Sequence, residues 1–203
     1  METKVLENFI VLEGLDGAGT TTQLNNIDSA LKKIGREVYR TFEPTDGPIG
    51  RLIRDVLQHK HDLEPKSVSK LFVADRFEHI YGKHGIKENL KNDSIVLCDR
   101  YFFSSLAYQS IECGFDFVHN INSDFPLPEH LFFISVPVEI CQERINKRGD
   151  AKELFDAKEF QILVEKNYNL ALDKYRDSDM KIHIIDGTKS PENITNEIMD
   201  IIR

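Results

Sequence analysis

In the stretch FIVLEGLDGAGTTTQL, Phe9 to Leu24, an apolar run ends at Gly14, and Gly17 and Gly19 follow before a helical pattern begins. Glycines supply the backbone conformations of a tight loop, and a strand, turn and helix in succession aim backbone N-H groups and a helix N-terminus at one point. Such a point binds anions. Gly14, Leu15, Asp16, Gly17, Ala18, Gly19, Thr20, Thr21 and Thr22 are therefore candidate phosphate-loop residues. Thr21 stands where the Ser/Thr hydroxyl of a P-loop binds Mg2+. The lysine that precedes that hydroxyl and reaches the β- and γ-phosphates is missing, and Thr20 takes its place. Alone, the stretch reads either as a phosphate loop short of one charge or as a plain turn.

A second constellation closes the run IVLCDRY. Asp99 and Arg100 lie at the end of a buried strand, the end at which open α/β sheets bind ligands. Asp99 can hold Mg2+ directly or through water, and Arg100 can grip a phosphate with its planar fork. The plainer alternative is a helix-entry aspartate beside a surface arginine. A third group, Arg144, Lys147, Arg148 and Lys152, surrounds Gly149. It reads as a lid of cations over phosphates or as a solvated helix face.

These residues need a frame. Five β-rich runs (Phe9 to Glu13, Glu37 to Phe42, Ser94 to Asp99, Leu131 to Val136, Lys181 to Asp186) alternate with helix-length patterns. Three of them are nearly continuous apolar runs, as expected of strands covered on both faces. The alternation predicts an α/β layered domain with a parallel sheet. Helices are expected after the glycine loop as far as Gly35, from Pro48, over Lys66 to Leu90 as one long helix weakened at Gly82 and Gly85, and over Tyr101 to Cys113. Further ones are expected over Pro137 to Lys147, Lys158 to Tyr175 and Pro191 to Ile202.

At 203 residues the chain suits one domain, here 1–203, large enough for its own core. A net charge of -8 argues against a nucleic-acid partner, which requires a basic face. Cys98, Cys113 and Cys141 are odd in number and widely spaced, so they read as free thiols in a reducing compartment. The N-terminus has no signal-peptide pattern and no apolar run approaches a membrane span, so a cytoplasmic protein without a membrane partner is expected.

With these pieces placed, the chain resembles the thymidylate kinase family, P-loop kinases that pass the γ-phosphate of ATP to dTMP. The resemblance rests on FIVLEGLDGAGTTTQ, EPTDGPIG, LFVADRFEH, DRYFFSSLAYQ, the basic segment near RINKRGD and the late IDGT, in the family's order. It implies a three-layer fold, a five-stranded parallel sheet covered by helices on both faces, a homodimer, ATP as donor and Mg2+ as cofactor. It implies that Phe72 stacks on thymine and Arg76 hydrogen-bonds it, that Arg100 binds the acceptor phosphate, and that Ser104, Ser105 and Gln109 face the acceptor. Tyr108 is placed beside the sugar, where it disfavours a 2′-hydroxyl, and Asp16 at the 3′-hydroxyl. Arg144 is placed on one face of adenine, with Gly187 and Thr188 as the other wall. Arg100, Asp99, Arg148 and Lys152 become the candidate catalytic set, the last two within a lid over 144–156.

Two departures stand out. Thr20 replaces the loop lysine and Phe42 replaces an arginine of the family's frequent Arg-Glu-Pro stretch, so two cations are absent. Losing one preorganised donor costs about 3 to 4 kcal/mol when nothing replaces it. Arg148 or Lys152, or else Arg51 or Arg54, could bring the charge. The retained set Asp16, Phe72, Arg76, Asp99, Arg100 and Tyr108 implies an active dTMP kinase; the alternatives are a kinase for another pyrimidine monophosphate such as dUMP and a nucleotide binder that has lost activity.

Overall fold

The computed structural model describes residues 4–91, 94–148 and 158–202. Strands β1 (Val5–Gly14), β2 (Val38–Phe42), β3 (Ile95–Asp99), β4 (Leu127–Ser135) and β5 (Lys181–Asp186) form one parallel sheet in the order β2-β3-β1-β4-β5. Every residue of β3 and all of β1 from Phe9 onward are buried. Successive side chains point to opposite faces, so unbroken burial means that helices cover both. The expected α/β class and five-stranded parallel sheet are present.

The helices among the described residues are α1 (Thr20–Lys33), α2 (Pro48–Leu57), α3 (Pro65–Tyr81), α4 (Ile86–Leu90), α5 (Phe102–Tyr108), α6 (Ser110–Cys113), α7 (Phe115–Asn122), α8 (Val138–Arg148), α9 (Lys158–Lys174) and α10 (Pro191–Ile202). Helices α1 and α10 pack together, as do α5 and α9. Connections from β1 and β3 leave the sheet in opposite directions, which opens a crevice at the C-terminal ends of these neighbouring strands. The phosphate loop and Asp99-Arg100 both sit there.

Several expected boundaries move. Strand β1 starts at Val5 rather than Phe9, since Val5 and Leu6 already pair with β4, and its register slips between Leu6 and Ile10. Asn8 takes up the slip at φ 61°, a conformation asparagine tolerates, and its N-H donates to Glu129 at 2.8 Å. The polar Glu7-Asn8 pair hides this part of the strand from an apolar pattern. The single helix expected over 66–90 is two, α3 and α4, parted at Gly82. A Cβ on Gly82 would lie 2.4 Å from the Glu78 carbonyl, so the chain turns where only glycine fits. The segment 101–113 likewise divides at Gln109, and α7, unmarked by the periodicity, follows Gly114.

The EPTDGPIG loop is fastened from two sides. Thr45 donates to Asp75 of α3 through its N-H at 2.7 Å and its hydroxyl at 2.6 Å. Arg54 of α2 donates to the carbonyls of Pro44 and Thr45 at 2.6 and 2.7 Å. A Cβ on Gly50 would fall 1.9 Å from the Thr45 carbonyl, so only glycine lets α2 approach this closely.

Candidate active site

The glycine loop closes tightly over the end of β1. Gly17 sits at φ 87° with room for no Cβ, since one would meet the Cys141 carbonyl of α8 at 2.6 Å, and Gly19 sits at φ 96° immediately before α1. The first turn of α1 brings the Thr21 hydroxyl to Asp99, to which it donates at 2.6 Å. The other carboxylate oxygen, Asp99 Oδ1, is buried with no hydrogen-bond partner. A buried acceptor without a partner costs free energy unless something meets it. Above this pair lies a cavity of about 400 Å3 whose wall includes Asp16, Gly19, Thr20, Thr21, Asp99 and Arg100.

Arg100 adopts φ 72°, rare for a residue with a side chain, and its N-H is held by the Leu12 carbonyl at 3.0 Å. That turn sends its guanidinium across the loop. Nη1 donates to the Gly14 carbonyl and to the Tyr168 hydroxyl, and Nη2 donates to Asp16 at 2.8 Å. Burial alone would lower its pKa. Facing Tyr108, Tyr168, Asp16 and Glu13 more than reverse that, so the charge is secure.

Beneath Arg100 lies Glu13, fully buried at the end of β1. It accepts from the N-H groups of Tyr101 and Ser104 and from the hydroxyls of Ser104 and Tyr168, at 2.6 to 3.2 Å. Burial pushes its pKa up to about 7, against the opposing pull of Arg100 and these donors. The Tyr108 and Tyr168 phenols are also raised by burial and stay protonated, able to donate.

A second cleft, about 170 Å3, opens on the other side of Arg100. Its wall brings together Asp16, Phe72, Arg76, Arg100, Ser104, Ser105, Tyr108 and Gln109, with Glu43, Pro44 and Leu57 beside them. Asp16 links the two cavities: it accepts from Arg100 and, at 2.9 Å, from Tyr108. Arg76, only 1% exposed, donates to Glu43 through Nε at 2.8 Å, to Asn122, and to Ser105 at 3.0 Å. His79 Nδ1 lies 3.0 Å from the same Glu43. Gln109 keeps a buried Oε1 without a partner. An apolar slot with a few convergent polar groups is the usual form of a small-ligand site.

A family model for thymidylate kinase matches residues 12–198. The chain belongs to the thymidylate kinase family. It is 41% identical over 201 residues to a Treponema pallidum protein that carries the thymidylate kinase name, covering 98% of this chain and 96% of that one. It is 37% identical to a thymidylate kinase of Thermosipho africanus, with 96% of each covered. It is also 33% identical to one of Brachyspira hyodysenteriae, with 96% and 93% covered. Membership places the chain among kinases with ATP as phosphoryl donor and gives no support to an inactive binder.

As a thymidylate kinase family member, the chain holds its adenine-side candidates close together. Arg144 donates to the Ala18 carbonyl at 3.2 Å and the Gly187 carbonyl at 3.0 Å, tying the phosphate loop to the loop before α10. Thr188 donates to Asp186 through its N-H and hydroxyl. Lys152 and Gly149 lie outside the described residues, and Arg148 is placed only as the last residue of α8. Arg54, one candidate for the missing cation, is spent on the EPTDGPIG loop.

Sequence reasoning overlooked Glu13, Tyr168, Asn122 and the anchoring role of Glu43. For Glu13 a signal existed, since a carboxylate inside the apolar run FIVLEG must be buried with partners. Tyr168 offered none: it sits on a helix face that reads as ordinary core.

Proposed function

We propose that this thymidylate kinase family member transfers the γ-phosphate of ATP to dTMP, and the observation that carries the reading is that Asp16 and Arg100 line both cavities. A donor phosphate held over the glycine loop and an acceptor phosphate held in the Phe72 cleft would then meet across one guanidinium. Phosphoryl transfer asks for positioning and charge stabilisation, without a protein nucleophile. Backbone N-H groups of residues 17–21 hold the donor phosphates, Arg100 orients both reactants, and Asp16 and Tyr108 bound the acceptor sugar. Phe72 and Leu57 offer the base an apolar surface, and Gln109, Ser105 and Arg76 offer it polar edges.

Thr21 and Asp99 form an all-oxygen donor set that suits Mg2+, and the partnerless Asp99 Oδ1 is the acceptor such an ion would meet. When bound there, Mg2+ neutralises phosphate charge.

The reading extends to the assembly and its setting. On α3, Phe77 and Tyr81 pack ring to ring at 4.8 Å while 56% and 43% exposed. We assign this apolar face to a homodimer contact. No described helix is long and apolar enough to cross a membrane. With the acid charge and free thiols, the protein is assigned to the cytoplasm, without a nucleic-acid or membrane partner.

A coupled ADP-release assay with ATP, Mg2+ and dTMP, dUMP, dCMP, dGMP or UMP tests the acceptor. Turnover is expected with dTMP and strongly reduced with UMP, whose 2′-hydroxyl faces Tyr108; a preference for UMP or a purine would refute the acceptor assignment.

A further inference from the structure

Two positions where the family resemblance calls for a cation carry Thr20 and Phe42, and both line the cavity over the glycine loop. Among the described residues of that wall, only Arg40 and Arg100 are cationic. Arg100 donates to Gly14, Tyr168 and Asp16 and is already assigned to the junction of the two reactants, so it does not make up for the missing loop charge. Arg40 is more exposed and has fewer partners.

Arg40 stands on edge strand β2, two residues before Phe42. The register pairs Phe42 with Asp99 and Arg40 with Leu97. Residues two apart share a sheet face, so Arg40 projects from the face that carries Asp99, toward α1. Its Nη2 donates to the amide oxygen of Asn25, a neutral partner one helical turn beyond Thr21. The Asp28 carboxylate lies 3.7 Å from Nη1 and is already paired with Lys32 at 2.8 Å. Arg40 is thus a half-exposed cation at the mouth of a phosphate cavity, and its bonded partner is neutral.

We propose that Arg40 replaces the missing loop lysine: when nucleotide binds, its guanidinium leaves Asn25 and grips the γ-phosphate of ATP. The exchange trades a single bond to a neutral amide and a 3.7 Å approach to an already paired carboxylate for a phosphate that the planar guanidinium fork can grip with two bonds. Arg40 already lines this cavity, so the exchange asks for a movement of its side chain. The proposal rests on the ATP-dependent function argued above, yet it can be tested apart from turnover.

Calorimetry with Mg2+ compares a non-hydrolysable ATP analogue with ADP, which lacks the γ-phosphate. Arg40→Gln is expected to weaken the analogue about tenfold or more while changing ADP by less than about twofold, at an unchanged thermal midpoint. Arg40→Lys should keep part of the preference. Arg40→Gln combined with Thr20→Lys should restore it, because the charge then comes from the loop; a mere brace between β2 and α1 would not be rescued this way. Equal weakening of both nucleotides, or of neither, overturns the proposal. Turnover of dTMP by the unmodified protein is measured alongside. Its absence would count against the assigned reaction, while the contrast between analogue and ADP still decides the role of Arg40.

Discussion

Thr21 and Asp99, 78 residues apart in sequence, meet through a 2.6 Å hydrogen bond that ties the first turn of α1 to the end of β3. The bond holds both side chains at the wall of the cavity over the glycine loop and leaves Asp99 Oδ1 buried without a hydrogen-bond partner. Thr21→Val keeps the shape and deletes the hydroxyl. It is expected to lower kcat with MgATP about 100-fold, while unfolding in urea shows a loss of only about 1 to 3 kcal/mol from the unpaired Asp99 oxygen. An unchanged kcat would contradict the metal-side role.

Glu13 makes stability depend on pH in a predictable direction. Its pKa is 4.5 ordinarily and about 7 in the fold, chiefly through burial. Between those values the folded protein keeps a proton that the unfolded chain releases. The contribution of Glu13 to stability is therefore greatest below about pH 4.5, falls as pH rises, and above about pH 7 carries the full cost of a buried carboxylate, about 3 kcal/mol. Glu13→Gln abolishes this titration. Relative to the unmodified protein, the variant should gain about 3 kcal/mol in unfolding free energy from about pH 4.5 to about pH 7.5; a constant difference would reject the assignment.

The pair formed by Arg76 and Glu43 is buried on both sides, with Nη2 2.6 Å from Oε2. Removing one partner leaves a buried charge uncompensated. Arg76→Met should cost about 3 to 5 kcal/mol in stability and raise KM for dTMP. The conservative Glu43→Gln should raise KM less, because Arg76 retains Asn122 and Ser105. Denaturant unfolding and initial-rate kinetics on both variants check the ranking.

Gly50→Ala tests the loop that carries Glu43 and Pro44 into the acceptor cleft. Its Cβ would sit 1.9 Å from the Thr45 carbonyl, so the loop must shift away from α2. A fall in thermal midpoint with a rise in KM for dTMP is expected, while ATP affinity stays the same. Equal effects on both substrates would show that the loop does not serve the acceptor side alone.

Much of this arrangement was legible beforehand because it depends on short-range signals. The glycine loop, the apolar strands and the Asp99-Arg100 end each occupy a few consecutive residues, and their placement at one crevice follows from α/β topology. What stayed hidden depends on distant partners. The Glu13 cluster draws Tyr168 from α9 and Ser104 from α5, and the Arg76 cluster draws Asn122 from α7, none of which marks itself by local pattern. Arg40 was unremarkable as a strand residue until the register set it on the Asp99 face. The single helix expected over 66–90 divides for a different reason: the break at Gly82 is steric, set by the close approach of the Glu78 carbonyl, which a local pattern does not show.

A phosphate loop with Thr20 in place of lysine is expected still to carry out transfer to dTMP. Purified protein with γ-labelled ATP, Mg2+ and dTMP tests it most directly, with the label followed into nucleotide diphosphate. Labelled dTDP is expected in proportion to enzyme and dependent on dTMP. No labelled dTDP from protein that binds both ATP and dTMP would contradict it.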